Sequence, residues 1–600
     1  MRRLATRLLL ALGLLCSFVL GSSAAIAAAD PPACRAVRLA DVGWTDVTAT
    51  TSVASEVLRE IGYRPTTRVL SVPVTFNGMA RGDVDIFLGN WMPAQKSLIQ
   101  GHIEDGTLER VRANLVDARY TLAVPAYLYE EGLQSFADIA RFADELDHKI
   151  YGIEPGNDGN QLVIDMIGRD AFDTGDFQVV ESSEQGMLSE VERAVKEKRA
   201  IVFLGWQPHP MNERFDMKYL AGGDDVFGPN FGGATVSTIV RRGYREECPN
   251  LGQFLENLSF EVEEENALMG HIEGGANPQD AARAWIAQHP DRVAQWLDGV
   301  TTFAGEPAEA AIKASKQTGP SHSWLTANKI PVGASIAVAV DWIKAHSGLL
   351  DIVSGAVSAG VDGLTGVLHA VPPLLFVALA TVLTWFLRKS YGFTAFVPLA
   401  LLFIINQGYW DETVDTLALV VFAAATSTVI GVPIGIWAGH RPRAYEYLRS
   451  VLDLMQTLPT FVYLIPTLVI FGLGVVPGLI STIIFSLPAP IRLTQLGIAS
   501  VPRPLIEAGE SFGATKRQLL FKIELPAAAG SILAGVTQCI MLSLSMVVIA
   551  ALVGAGGLGV PVVRALNTVQ VGMGFEAGFA IVLLAIILDR VTRRETKGDS

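Results

Sequence analysis

Apolar positions along this chain follow three different rhythms. The first is one short run, Leu8 to Leu20, preceded by Met1-Arg2-Arg3 and Arg7 and followed by Ala27-Ala28-Ala29. Positive residues, an apolar core and small residues at a cleavage point, in that order, predict a secretory signal peptide over residues 1–29. An uncleaved N-terminal anchor is the alternative. The second rhythm, over residues 34–300, alternates short β-branched runs with helical stretches. Val37–Ala40 predicts a strand and Ser52–Ile61 the helix after it. Further strands are predicted over Arg68–Val72, Val84–Leu88, Tyr120–Val124, Lys149–Ile153 and Ala200–Leu204. Such alternation predicts parallel sheets with crossover helices, in one large or two moderate α/β lobes. Residues 301–330, rich in Ala, Thr, Ser, Gly and Lys and without a period, read as a linker.

The third rhythm is long and almost unbroken. Residues 331–370 are mildly apolar but carry Asp341, Lys344, His346, Asp351 and Asp362, which suits an interfacial amphipathic segment better than a span. Beyond them come Val371–Leu387, Phe393–Ile405, Thr416–Ala438, Leu458–Val476, Leu479–Leu487, Ala527–Val553 and Phe575–Leu588. At about 20 apolar residues per crossing, these predict about seven transmembrane helices within residues 371–597. Loop charges fit that count. Arg388-Lys389, the Arg441–Arg449 loop, the Arg492–Lys522 loop and the Arg590–Lys597 tail alternate with acidic or neutral connections. Basic loops stay in the cytoplasm, so an exported N-terminal half and seven crossings leave the C-terminus inside. Counting residues 349–368 as an additional span would put every basic loop outside.

Charge sharpens the seam between the two halves. Residues 30–330 hold 45 acidic against 27 basic side chains, whereas residues 331–600 hold 15 against 16, within a formal net charge of −14. The clusters Asp144–Asp147 and Glu261–Glu265 read as solvated faces, and an acidic surface excludes a nucleic-acid partner. Of the four cysteines, Cys16 falls in the leader and Cys539 in an apolar helix. Cys34 and Cys248 remain in the exported half, where an oxidising compartment allows them to pair.

Between the fifth and sixth apolar runs lie Glu507-Ala508-Gly509, then Gly513, then Ile523-Glu524-Leu525-Pro526. The spacing resembles the EAA loop of ATP-binding-cassette importer permeases: Glu-Ala-Ala, three residues, Gly, nine residues, Ile-x-Leu-Pro. Gly509 departs from it at the third position. The resemblance implies a short helix–turn–helix over residues 507–526, bent at Gly513, that presents a rigid knob to a cytoplasmic ATPase. An ordinary loop between spans is the bland alternative. The chain has no Gly-x4-Gly-Lys-Ser/Thr sequence, and Gly554–Gly559 lacks a lysine, so no phosphate cradle is expected. ATP and Mg are therefore expected on a separate chain, with no cofactor on this one. One such loop per chain implies a homodimer served by two ATPase copies.

Four segments of the exported half carry the remaining signal. They are Asp41-Val42-Gly43-Trp44-Thr45-Asp46, Gly89-Asn90-Trp91-Met92-Pro93, Glu154–Asn160 and Gly205-Trp206-Gln207-Pro208-His209-Pro210. Three set a Trp beside Gly or Pro at predicted strand ends, where ligands of open α/β lobes collect. Tyr120 opens another strand. Any one of these rings alone reads as core packing. Together they suggest an aromatic box for a methylated ammonium, held by about 0.5–2 kcal/mol per ring.

These segments, with Ser71-Val72-Pro73-Val74, resemble the choline-binding proteins of bacterial importers over residues 34–300. Residues 331–597 resemble the permease of the glycine betaine/proline betaine family. The resemblance implies an N-terminal α/β two-lobed periplasmic substrate-binding domain, type II-like, over residues 30–300, and an all-α polytopic permease over 371–597. It also implies a cation among Trp44, Trp91, Trp206 and Tyr120, a choline hydroxyl on Asp46 and Asn157, and a Cys34–Cys248 disulfide. A carboxylate at Asp46 accepts from a hydroxyl and repels the carboxylate of a betaine; capping the following helix is its other reading. His209 reads as a packed or surface histidine rather than a metal ligand. Glu154 and Asp158 read as turn residues rather than a catalytic pair.

The sequence thus describes the substrate-binding and permease subunit of an importer that takes up choline across the cytoplasmic membrane, for nutrition or osmoprotection. Its receptor lies outside, its C-terminus inside, and a separate ATPase energises it; the chain itself is not an enzyme. An importer of glycine betaine, proline betaine or carnitine is the nearest rival. A membrane-anchored quaternary-ammonium sensor is a rival of another class, opposed by the EAA loop. An enzyme acting on choline esters would need a nucleophilic Ser with His support, which the sequence does not display.

Overall fold

The computed structural model describes residues 30–309, 332–345 and 348–592. The predicted leader and most of the predicted linker lie outside the described residues. The chain divides into two units. The first comprises residues up to Arg119, Trp206–Asn212 and Gly233–Ala327; the second comprises Tyr120–Gly205, Glu213–Gly232 and Asn328–Ser600.

The first unit is a mixed sheet wrapped by helices. Its strands are β1 (Ala36–Asp41), β2 (Arg64–Val69), β3 (Ile86–Met92), the first two-thirds of β4 (Leu108–Pro125), and, much later in the chain, β9 (Gly233–Arg241). They lie in the order β2-β1-β3-β9-β4. β1 pairs in parallel with β2 and β3, while β9 runs antiparallel to both β3 and β4. Within this unit the expectation of parallel sheets therefore holds for the first three strands; the pairs of Lys149–Tyr151 with Gln178–Val180 and with Phe203–Gln207 are parallel as well. The run Ala234-Thr235-Val236-Ser237-Thr238-Ile239-Val240, rich in β-branched residues, forms β9.

Element limits move for local reasons. The helix expected from Ser52 begins at Thr45 and runs to Glu60. Its Thr-rich first turns have weak helix propensity, yet Asp46 in the first turn complements the helix dipole and Thr48 Oγ1 donates to Asp41. The strand expected over Arg68–Val72 ends at Val69, because Pro73 starts the helix Val72–Ala80, where a missing N–H costs nothing. Helices Pro249–Asn257, Val262–Glu273, Pro278–Gln288 and Pro290–Trp296 complete the unit, with Trp285 and Trp296 stacked at 5.4 Å.

Two devices tie the unit's ends. Cys34 and Cys248 are bonded across a sequence separation of 214, their Cα atoms 5.8 Å apart. Asp30 accepts from Asn250 N–H, Leu251 N–H and Tyr63 O–H at 2.8, 3.1 and 2.8 Å. The packed body also runs past residue 300. Thr301 N–H donates to Asn250 Oδ1 at 2.8 Å, and the Phe303 ring meets Tyr63 at 5.4 Å, so the linker begins later than expected.

The second unit contains the rest of the α/β fold and the membrane helices. The end of β4 pairs with β8 (Met217–Tyr219), and β7 (Phe203–Gln207), β5 (Lys149–Tyr151) and β6 (Gln178–Val180) continue the sheet in that order. Five described helices are long and apolar enough to cross a membrane: Ile352–His369, Trp410–Gly439, Val475–Ala499, Lys516–Val553 and Val571–Thr592. The pair Pro442–Thr457 and Thr460–Phe471, bent by 90°, makes a sixth if counted as one. Pro373–Arg388 and Tyr391–Asn406 are apolar but only 16 residues each. Of the seven expected spans the first two form short helices and the fourth belongs to the bent pair, so the count of five or six includes Ile352–His369. Ile352–His369, which loop charge argued against, is apolar and long enough to qualify.

Small residues set the helix packing. Ser427, Gly431, Gly435 and Gly439 recur every fourth position along Trp410–Gly439. A Cβ at the three glycines would lie 2.8, 2.6 and 2.7 Å from Pro490, Thr494 and Ile498. Ser427 and Ser486 hydroxyls meet at 3.0 Å at the same seam. Close backbone approach through small residues is how helices associate where solvent offers no hydrophobic drive.

Candidate functional site

In the first unit the chain leaves β1 and turns into helix Thr45–Glu60. The Asp41 carboxylate fixes that turn, accepting from Gly43 N–H at 2.8 Å and from Thr48 Oγ1. Trp44 occupies the N-cap position, and no side chain caps the helix there, so Asp46 is not the cap. Both Trp44 and Asp46 are buried, at 7% and 3% exposure. The Trp91 indole, at the end of β3, donates Nε1–H to Asp46 Oδ2 at 2.9 Å. Asn90 Nδ2 donates to Gln95 Oε1, and Gln95 Nε2 to the Gly89 carbonyl, which locks the strand end that carries Trp91.

Trp206 is also buried, its ring edge-on to His209 at 4.8 Å and its carbonyl accepting from Asn212 Nδ2 at 2.8 Å. His209 has no exposure. Its Nδ1 accepts from Met211 N–H at 3.0 Å, which leaves Nε2 toward Glu273 at 3.6 Å. The histidine is a packed support for the Trp206 ring.

Glu265 belongs to the same neighbourhood. It was expected on a solvated acidic face, but it is 3% exposed and its carboxyl is held well above the usual carboxylate range, first by burial and then by the Asp46 charge. Glu261 and Glu264 form a capping box at the start of helix Val262–Glu273, and the next turn faces Glu265 inward. The Asp46 carboxylate makes the Trp91 surroundings attractive to a cation.

In the second unit, Tyr120 donates its hydroxyl to Asn157 Oδ1 at 3.0 Å. Asn157 is the N-cap of helix Asp158–Gly168, and the same oxygen accepts from Gly159 N–H and Asn160 N–H at 2.8 and 3.1 Å. The amide Nδ2 donates in turn to Asp158 Oδ1 at 3.1 Å and to Glu154 Oε1 at 3.4 Å, so both ends of the Asn157 side chain are engaged within its own turn. Gly159 makes the approach possible, since a Cβ there would lie 1.9 Å from the Tyr120 oxygen. Burial, followed by the charges of Asp158 and Glu154, pushes the Tyr120 phenol up, so it stays a neutral donor. Tyr120 also meets Phe227 edge-on at 5.7 Å. The predicted set thus appears as two bonded pairs, Trp91 with Asp46 and Tyr120 with Asn157, plus the buried rings of Trp44 and Trp206.

The second predicted motif is also built from its residues. Glu507, Ala508 and Gly509 lie on helix Arg503–Ser511. The chain bends at Gly513, whose φ of +75° is a glycine conformation, and re-enters a helix at Lys516 through a Thr515–Gln518 capping box. Gly509 is buried, and a Cβ there would lie 2.4 Å from Ile523 Cδ1 and 2.7 Å from Leu519 Cδ2. Glycine in place of alanine lets these two limbs close on each other. Leu525 and Pro526 begin the long helix Leu525–Ala550, and Glu524 anchors the loop base to His440 at 3.0 Å. Leu505, Phe512 and Phe521 are exposed around the bend.

Comparison with known proteins places both halves. The family described as the substrate binding domain of the ABC-type glycine betaine transport system matches residues 35–288. The binding-protein-dependent transport system inner membrane component matches residues 431–594. The glycine betaine transport system permease protein OpuAB of Bacillus subtilis is 46% identical over 266 residues, covering 44% of this chain and 94% of that relative. This chain belongs to the quaternary-amine ABC importer family.

Further likenesses cover each half of the importer subunit. The glycine betaine/proline betaine permease ProW of Escherichia coli K12 is 43% identical over 265 residues, 44% of this chain and 75% of that one. A solved ABC-transporter choline-binding protein in complex with choline is 54% identical, covering 48% of this chain and 99% of its own, with a TM-score of 0.47. The chain is accordingly a non-catalytic subunit in which a binding domain is fused to a multi-pass permease. Sequence reasoning missed Glu265 in this importer. Its only signal was being the fourth acidic residue of the Glu261–Glu265 cluster, one helical turn after Glu261.

Proposed function

We propose that this importer subunit captures choline outside the cytoplasmic membrane and passes it inward. The observation that carries this reading is the Trp91 indole bonded to the buried Asp46 carboxylate, with Trp44 and Trp206 buried as further indoles. Indole faces attract a quaternary ammonium, which has no N–H to donate and gains little from carbonyls. The carboxylate adds charge attraction, and its remaining acceptor capacity suits a hydroxyl. A betaine carboxylate near Asp46 meets repulsion instead. Tyr120 and Asn157, bonded to one another in the second unit, are assigned to the fourth ring and to the choline hydroxyl.

Sidedness follows from the helix ends. Arg388 donates to the Arg590 carbonyl, so two basic ends meet. At the opposite ends, His369 meets Asp415 at 2.9 Å and Tyr409 meets Glu576 at 3.5 Å. The basic ends and the EAA loop are assigned to the cytoplasm, with the C-terminus, and the acidic ends to the outside. Two ATPase copies, binding ATP and Mg, are assigned to the EAA loops of a homodimer of this chain.

Calorimetry on the full chain in lipid nanodiscs tests the ligand. Choline is expected to bind more tightly than glycine betaine or carnitine. Equal or reversed affinities would remove the choline assignment and leave an importer of another methylated amine.

A further inference from the structure

Arg564, on the permease helix Gly559–Asn567, makes an ion pair with Glu181 at 2.6 Å. Glu181 lies just after β6 in the binding-domain part of the same unit, and its side chain is 4% exposed. Its other carboxylate oxygen accepts from Asn160 Nδ2 at 3.2 Å. Asn160 is fully buried and holds the ligand turn from within, accepting from Ile153 N–H at 2.9 Å and donating to the Ile153 and Glu154 carbonyls. The same turn presents Asn157, bonded to Tyr120.

A second permease contact grips that turn directly. Asn567 Nδ2 donates to the Pro155 carbonyl at 2.6 Å. At Gly156 a Cβ would lie 3.0 Å from Thr568 and 3.1 Å from Asn567, so the backbone of the turn lies against the helix end. Three residues of one short permease segment, Arg564, Asn567 and Thr568, therefore converge on residues 154–157 and on the carboxylate that braces them. A second patch of the lobe, Arg193, lies farther off and donates to the Ile470 carbonyl at 3.5 Å.

We propose that Arg564 and Asn567 are positioning residues through which the permease reads the conformation of the ligand turn at residues 153–160, so that a filled receptor, and not an empty one, signals to the coupling loop. This rests on the assignment of Asn157 to the ligand. A buried carboxylate shared between Arg564 and Asn160 is sensitive to small displacements, because charge-assisted hydrogen bonds are short and directional. If ligand holds Asn157, and through it the turn, the Glu181 carboxylate is presented to Arg564 in a fixed place. If the turn relaxes, the pair loosens. Spatial continuity alone does not establish coupling, so the test is an energetic one.

The test uses the full chain with its ATPase partner in proteoliposomes, in wild type, Arg564→Glu, Glu181→Arg and the double exchange. ATP hydrolysis is read with and without saturating choline, and choline binding is titrated on wild type and Arg564→Glu. Ligand stimulation is expected to fall at least tenfold in each single variant and to recover to within threefold of wild type in the double. Choline affinity in Arg564→Glu is expected to stay within twofold, which also reports a folded receptor. Asn567→Ala is expected to lower stimulation about threefold or more with affinity unchanged. Undiminished stimulation in the single variants, failure of the double exchange to recover, or a parallel loss of choline binding in Arg564→Glu would each overturn the proposal. Failure of wild type to bind choline would overturn the ligand assignment instead, and the cycle is then run with the methylated amine that binds.

Discussion

Asp46→Asn is the substitution on which the ligand reading turns. Asparagine keeps an acceptor oxygen for the Trp91 Nε1–H, so the indole is held while the charge is removed. A cation about 5 Å from a carboxylate, at an effective dielectric of about 20, gains about 3 kcal/mol. Glu265 offsets part of the loss. Its carboxyl pKa is raised first by burial and second by the Asp46 charge, so deleting that charge lowers it while the larger cause remains. The net loss is on the order of 1.5–3 kcal/mol, a roughly 10- to 100-fold rise in the choline Kd. Asp46→Asn combined with Glu265→Gln removes the compensation and is expected at the upper end. Glycine betaine loses a repulsive neighbour in the same variant, so its affinity relative to choline is expected to rise at least tenfold. Calorimetry of both ligands on the full chain in nanodiscs at pH 7 reads all of these values. A choline Kd changed less than threefold, or an unaltered ratio between the two ligands, refutes the electrostatic role of Asp46.

Other consequences concern stability and coupling. Glu265 has a folded pKa raised above its ordinary 4.5, so the stabilisation of its neutral form is present below about pH 4.5 and is lost as pH rises toward the folded value. Glu265→Gln is therefore expected to raise Tm over wild type more at pH 8 than at pH 5, followed by tryptophan fluorescence; an equal offset at both pH values contradicts this. Gly509→Leu drives a side chain into Ile523 and Leu519, and is expected to cut ATP-driven uptake at least tenfold while choline affinity stays unchanged. Intact uptake would deny the loop its coupling role. Cys34→Ser opens a bridge spanning 214 positions, a loss of about 2–4 kcal/mol, expected as a lower Tm without reductant. A Tm equal to wild type would show that the Asp30 network alone secures the N-terminal end.

How much of this was legible in the sequence depended on whether the physics was local. Gly513 at its bend and Gly509 between two limbs belong to a motif some twenty residues long, and its spacing was readable because a helix, a turn and a second helix repeat at fixed lengths. The Trp residues were readable because large rings beside Gly or Pro at strand ends are rarely idle. Local chemistry also explains the failures. Pro73 ended a strand that β-branched residues had extended, and the antiparallel β9 lies more than a hundred residues from both its partners, so no neighbouring pattern predicted its direction. Charge counted along the chain could not separate Glu265 from Glu261–Glu264, because burial is decided by what packs on the helix.

The contacts that join receptor to permease were illegible for a stronger reason. Glu181 and Arg564 are separated by 383 positions, and each is an unremarkable single charge in its own segment. Neither hydropathy, spacing nor composition marks them. What the sequence does show is the seam between an acidic half and a near-neutral half, which invites the view that the two are merely strung together. The placement of Arg564, Asn567 and Gly156 argues otherwise: the permease touches the receptor at the turn that bears Asn157. A transporter that docked on an inert face of its receptor would gain proximity and nothing more. If Asn157 holds ligand as proposed, docking on its turn gives the permease differential affinity for filled and empty receptors, and only such a difference can shift a conformational equilibrium.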